Sequence, residues 1–151
     1  MPRQRKGFTL IELIIVLAII LILGAIAIGP MNEQIRMAHE TAVVQEIKTI
    51  NTAQAQYLAQ FGRYAAKLAA LGPSTSAFGP EAARLIPENL AGGQKNGYLF
   101  ELAATPEGYA IAAVPRKFGN SGRRTFYSDQ TLVIRNNWSA EPANANSPPI
   151  E

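Results

Sequence analysis

Cysteine is absent from the 151 residues, and histidine, aspartate and tryptophan occur once each, as His39, Asp129 and Trp138. Each scarcity removes a class of chemistry. Without cysteine no disulfide can staple the fold, and thiolate nucleophiles and cysteine-bound metals are excluded. One histidine cannot supply a multi-histidine zinc site, and a Ser-His-Asp arrangement would have to bring His39 and Asp129 together. A calcium loop wants clustered carboxylates, whereas Asp129 stands alone in the C-terminal part. Gly92-Gly93 lacks the Lys-Ser/Thr that completes a phosphate loop. The composition points away from an enzyme and implies no cofactor and no metal.

Charge is scarcest near the N-terminus. From Phe8 to Met31 the chain runs for 24 residues with Glu12 as its only charge. As a helix rising about 1.5 Å per residue, such a run reaches about 36 Å, enough for a bilayer core of about 30 Å. A carboxylate at mid-membrane is unfavourable by roughly 3 kcal/mol and by less near the edge, so Glu12 calls for an offsetting interaction. The leader before the run holds Arg3, Arg5 and Lys6. These account for the whole excess of 14 basic over 11 acidic residues, and beyond Gly7 the charges balance at 11 each. Overall basicity is therefore no argument for a nucleic-acid partner. Basic flanks stay cytoplasmic, which places the C-terminal body outside the inner membrane. An ordinary secretory signal is the rival reading, with Ala25-Ile26-Ala27 posing as its cut site. Its apolar core is about 7–15 residues, shorter than this run, and gains nothing from Glu12.

The stretch Lys6-Gly7-Phe8-Thr9-Leu10-Ile11-Glu12, with the apolar run behind it, resembles the processing site of type IV pilins and type II secretion pseudopilins. The resemblance implies cleavage after Gly7 by a prepilin peptidase, N-methylation of the new terminal residue Phe8, and a subunit-docking role for Glu12. It implies a structural subunit, anchored in the inner membrane by one pass and then polymerised into an extracellular or periplasmic filament. The implied partners are other pilin subunits, in a homopolymer, the peptidase, and an assembly platform with its ATPase. The alternatives are a secretion pseudopilin, a DNA-binding minor pilin, and an unrelated membrane-anchored periplasmic module. The implied fold is α+β and pilin-like: a long N-terminal helix, half transmembrane and half amphipathic, packed on a small four-stranded antiparallel sheet.

Residue patterns divide the chain accordingly: leader 1–7, transmembrane or filament-core helix 8–30, amphipathic helix 31–62, variable loop 63–94, sheet 95–138 and flexible tail 139–151. Gly29-Pro30 lies where the run turns polar and marks a helix bend or a plain boundary, since proline removes a helical hydrogen bond. Beyond it Ile35, Val43, Ile47, Ile50, Tyr57, Leu58 and Phe61 recur at helical spacing and predict a core stripe, with Ile47, Ile50 and Leu58 as core. Arg36, His39, Glu40, Glu46 and Lys48 are assigned to the solvated face, and Gly62 to the helix end. Short helices are expected over 64–71 and 80–86, the second opened by Pro80. From Tyr98 the period becomes two. Tyr98, Phe100 and Leu102 pair across Thr105–Gly108 with Tyr109–Val114, and Phe126-Tyr127 pair with Leu132–Ile134. The proline-rich stretch after Ser139 predicts disorder.

One constellation remains. Arg116, Lys117, Arg123, Arg124 and Arg135 fall close together, interleaved with Phe118, Phe126 and Tyr127. Basic groups beside exposed aromatics can hold single-stranded nucleic acid. The competing reading puts the aromatics in the sheet core and the arginines in a solvated loop or against filament neighbours. Asn137-Trp138-Ser139 also fits the glycosylation pattern.

Overall fold

The computed structural model describes residues 7–27, 31–73 and 78–150. The leader residues 1–6 and the expected bend at Gly29-Pro30 lie outside the described residues, as does part of the 63–94 loop. The chain divides after Ile35 into two compact units.

The first unit contains helix α1, Leu10–Ala27. Apart from Glu12 its residues are apolar on every side, and the large side chains from Leu10 to Leu23 are exposed. Among the described residues no helix is long and apolar enough to cross a membrane. At 18 residues α1 is about 27 Å long, a little under the roughly 20 residues of a span. The expected span ran over 8–30, and its last three residues lie outside the described ones.

The second unit is an α+β head, with a long helix packed on an antiparallel sheet. Helix α2 covers Met31–Phe61. Its buried positions Glu40, Val43, Ile47, Ile50, Gln54 and Tyr57 follow a three-or-four spacing, which draws one stripe down one face. Leu58 departs from the expected core and is 37% exposed. It sits one residue past Tyr57, about 100° around the helix from the stripe. Gly62 ends the helix at φ +69°, its N–H donating to the Leu58 carbonyl at 2.8 Å. Only a residue without a β-carbon takes that turn without strain.

Two short helices follow, α3 at Leu68–Leu71 and α4 at Glu88–Ala91. The helix expected over 80–86 does not form. The N–H groups of Ala83, Leu85 and Ile86 donate to carbonyls of Ala70 and Leu71, and Arg84 sits at φ +57°. Docking on α3 outcompetes local helix formation, and the turn begins only after Pro87.

The sheet has five strands in chain order, each antiparallel to the next: β1 Gln94–Lys95, β2 Tyr98–Thr105, β3 Gly108–Pro115, β4 Thr125–Asp129 and β5 Arg135–Asn137. This is one more strand than expected. β1 has no apolar alternation to announce it. It arises because Asn96 (φ +50°) and Gly97 (φ +75°) fold the chain back in a two-residue turn. The inward residues of β2 and β3 are Tyr98, Phe100, Leu102, Tyr109, Ile111 and Ala113, in the expected alternation. They join Ile47, Ile50, Tyr57, Leu71, Leu90 and Phe126 in one core.

The last strand lies later than expected. Leu132 and Val133 are exposed, Leu132 has φ +64°, and its N–H donates to the Asp129 carbonyl at 2.9 Å. Asp129 Oδ1 accepts from Thr131 N–H at 2.9 Å and from its hydroxyl at 2.6 Å, which fixes the turn. Pairing resumes only at Arg135. The tail likewise departs from expected disorder. Asn136 N–H donates to the Pro148 carbonyl, Ile150 N–H to the Ile134 carbonyl, and Arg135 Nη1 to the Ser147 carbonyl, each at 2.9 Å. Ala143 is buried. A segment too polar to make its own core still supplies carbonyls to the otherwise open β5 edge.

Candidate functional site

Gly7, Phe8 and Glu12 gather at the start of α1. Thr9 precedes the first helical residue, and its hydroxyl oxygen accepts from Glu12 N–H at 3.3 Å. Thr9-x-x-Glu12 is therefore the first half of a capping box, a helix-start signal that the sequence carries. Glu12 also occupies the first turn, where a carboxylate complements the helix dipole. Phe8 precedes it by four residues, one turn away, and is 80% exposed.

Gly7 is informative for what does not surround it. Among the described residues a β-carbon there would meet nothing within 4 Å, and its φ lies outside the left-handed region. Gly122 differs, since a β-carbon on it would run into the Tyr98 ring and hydroxyl. The fold requires glycine at 122, whereas among the described residues nothing crowds position 7.

The basic loop lies in the head, between β3 and β4. Three residues of α2 pin it. Arg36 Nη1 donates to the Gly119 carbonyl at 2.9 Å, and His39 Nδ1 lies 3.2 Å from the Ser121 carbonyl. Glu40 Oε1 accepts from Arg123 N–H, and its Oε2 from Arg124 Nε, both at 2.7 Å. Glu40 was assigned to the solvated face, yet it is buried. Burial is tolerated because both carboxylate oxygens have donors and one donor is a cation. His39, expected on the surface, is half-buried by the same docking.

The candidate nucleic-acid contacts thus separate. Arg124 is a strut, paired with Glu40 and placed over the Phe126 and Trp138 rings at 5.3 and 4.9 Å. Arg135 is tied to the tail. Arg116, Lys117 and Arg123 are exposed. Phe126 is in the core, as the solvated-loop reading expected, whereas Phe118 and Trp138 are exposed.

Tyr98 and Tyr109 are buried and hydrogen-bonded within the head. The Tyr109 hydroxyl donates to Asn51 Oδ1 at 2.9 Å, and Asn51 Nδ2 donates to Ser128 Oγ at 3.0 Å. Burial, helped by Tyr64 and Asp129, pushes the Tyr109 phenol up to about 12. Burial and then Glu40 push the Tyr98 phenol upward against the pull of Arg124, and its hydroxyl donates to the Arg124 carbonyl at 2.9 Å. Both stay neutral at ordinary pH and act as hydrogen-bond donors. His39 and Asp129 have separate partners. Among the described residues no three His, Cys, Asp or Glu side chains gather to hold a metal.

Sequence reasoning missed the Glu40 clamp, because nothing in a helical wheel distinguishes a buried, paired glutamate from a solvated one. It also passed over the Thr9 cap, although the Thr-x-x-Glu spacing carries that signal. Compared with known families, residues 2–28 match the prokaryotic N-terminal methylation motif. No curated protein and no solved structure matches the chain.

Proposed function

We propose, for a chain whose N-terminus carries the prepilin motif of type IV pilins and pseudopilins, that it is the structural subunit of a type IV pilus-like filament. A prepilin peptidase cuts after Gly7, and Phe8 becomes the N-methylated terminus. Residues 8–30 anchor the subunit in the inner membrane with the head outside the cytoplasm. An assembly platform and its ATPase then transfer α1 from lipid into a core of like helices.

The observation that carries this reading is α1 itself: large aliphatic side chains exposed all round, inside the segment that matches the N-terminal methylation motif. Apolar area removed from water is worth about 25 cal/mol per Å2, so a helix apolar all round but for Glu12 gains most under lipid or other helices. Gly7 is the residue of that motif at which a peptidase would approach the backbone.

Glu12 fits docking. Cleavage leaves an amino group on Phe8 beside the positive end of the helix dipole, and a carboxylate one turn away relieves it. The same carboxylate can meet the Phe8 amine of a neighbouring subunit and set the axial register. The pseudopilin reading shares every one of these features. A nucleic-acid role is disfavoured by the commitment of Arg124 to Glu40.

The test has two arms. Gly7→Val should leave full-length precursor without N-methylated Phe8, read by mass spectrometry. Glu12→Leu should be cleaved normally but enter filaments poorly as the sole copy. Normal methylation of Gly7→Val, or normal filaments from Glu12→Leu, would overturn the corresponding role.

A further inference from the structure

We infer that the end of the head nearest Arg36 is a docking surface for anionic phospholipid headgroups, holding the subunit against the membrane that α1 enters. The inference rests on the anchoring reading above and adds a partner for a surface which that reading leaves unused.

The contacts already described place the surface. Arg36 and Glu40 hold the β3–β4 loop through Gly119, Arg123 and Arg124. That brings the exposed side chains of Arg116, Lys117 and Phe118 to the Arg36 end of α2. Trp138 joins them through its stacking with Arg124 and is 67% exposed. Glu40 is turned inward, with both oxygens occupied. Glu141 lies nearby on the tail, where its backbone carbonyl accepts from Thr125. Glu33, exposed one helical turn before Arg36, is the other carboxylate at this end among the described residues, and Arg36, Arg116, Lys117 and Arg123 outnumber the two, although beyond Gly7 the charges balance.

Cations beside an exposed tryptophan match the chemistry of a bilayer interface. Indole rings settle at headgroup depth, and lysine and arginine pair with lipid phosphates. Chain connectivity favours this partner over nucleic acid. Only residues 28–35 separate α1 from Arg36, so anchoring α1 keeps this end of the head near a bilayer at high effective concentration. A free polyanion has no such tether.

Trp138 is the only tryptophan and reports directly on the contact. The full chain is reconstituted into phosphatidylcholine vesicles with or without phosphatidylglycerol, flotation checks insertion, and quenching of Trp138 by brominated lipids is measured. Quenching is expected in the anionic vesicles, weak without phosphatidylglycerol, and reduced by salt. Arg116→Gln with Lys117→Gln should lower the ratio of surface-bound to free heads by about thirtyfold at low salt. Both side chains are exposed, so the variant keeps its fold.

A wild-type chain that floats but shows no quenching overturns the headgroup surface and leaves the anchor standing. Equal quenching of the double variant also overturns it. A chain that floats with neither vesicle overturns the anchor, and this inference with it. Single-stranded DNA that displaces Trp138 from anionic vesicles at physiological salt would reassign the surface to nucleic acid.

Discussion

Two helices of this chain use isoleucine in opposite ways. Ile14 and Ile15 of α1 are 55% and 54% exposed, whereas Ile47 and Ile50 of α2 are fully buried. The residues are the same; their neighbours along the helix differ. α2 alternates its isoleucines with polar residues at helical spacing, so one face meets the sheet and the other meets water. Apart from Glu12, α1 is apolar in every direction, and no single face of a soluble head could cover it. The head is held by contacts inside the chain, whereas the large side chains of α1 from Leu10 to Leu23 are exposed.

The sharpest way to break that contrast is to trim each helix in turn. Ile50→Ala should destabilise the head by about 2–5 kcal/mol, since it opens a cavity in a closed core. Ile14→Ala should leave head stability within about 0.5 kcal/mol, as exposed substitutions do. Denaturant unfolding of the full chain in detergent, followed by head tyrosine fluorescence, measures both. Equal effects would show that the two helices share one core.

Next in size is the clamp. Glu40→Gln removes the charge facing Arg124 and one of two well-made acceptors, at a cost of about 1.5–3 kcal/mol. Hydrogen exchange at the Arg123 amide should accelerate as well. If exchange is unchanged, the β3–β4 loop is held by something other than Glu40, and the headgroup surface loses its frame.

The smallest effect is seen in alkali. Tyr109 ionises near 10 when unfolded and near 12 in the head, because burial disfavours the phenolate. The folded value is raised, so its contribution to stability is complete below pH 10 and is lost as pH rises through 12. The head should unfold progressively over that window. Tyr109→Phe should flatten the slope, leaving the parts due to Tyr98 and Tyr127, whose phenols burial also raises. An unchanged slope would place the linkage elsewhere.

Much of this was written locally. The Thr9-x-x-Glu12 start of α1, the stripe from Val43 to Tyr57, the helix stop at Gly62 and the alternation in β2 and β3 each depend on residues within a turn or a hairpin. Short-range sterics and periodicity settle such features before any long-range contact forms. The N-terminal methylation motif is legible for the same reason, because it lies in one contiguous segment.

What only the tertiary structure decided involves groups far apart in sequence. Glu40 reads as solvated until Arg123 and Arg124 arrive from more than eighty residues away to satisfy it. Arg124 reads as a free cation until that pairing consumes it. The tail reads as disordered until the β5 edge offers partners for its carbonyls, and β1 exists only because β2 is there to receive it. In each case an unpaired polar group changes its meaning when a distant partner removes it from water. Burial and hydrogen bonding of that kind are properties of the folded whole and leave no local trace in the chain.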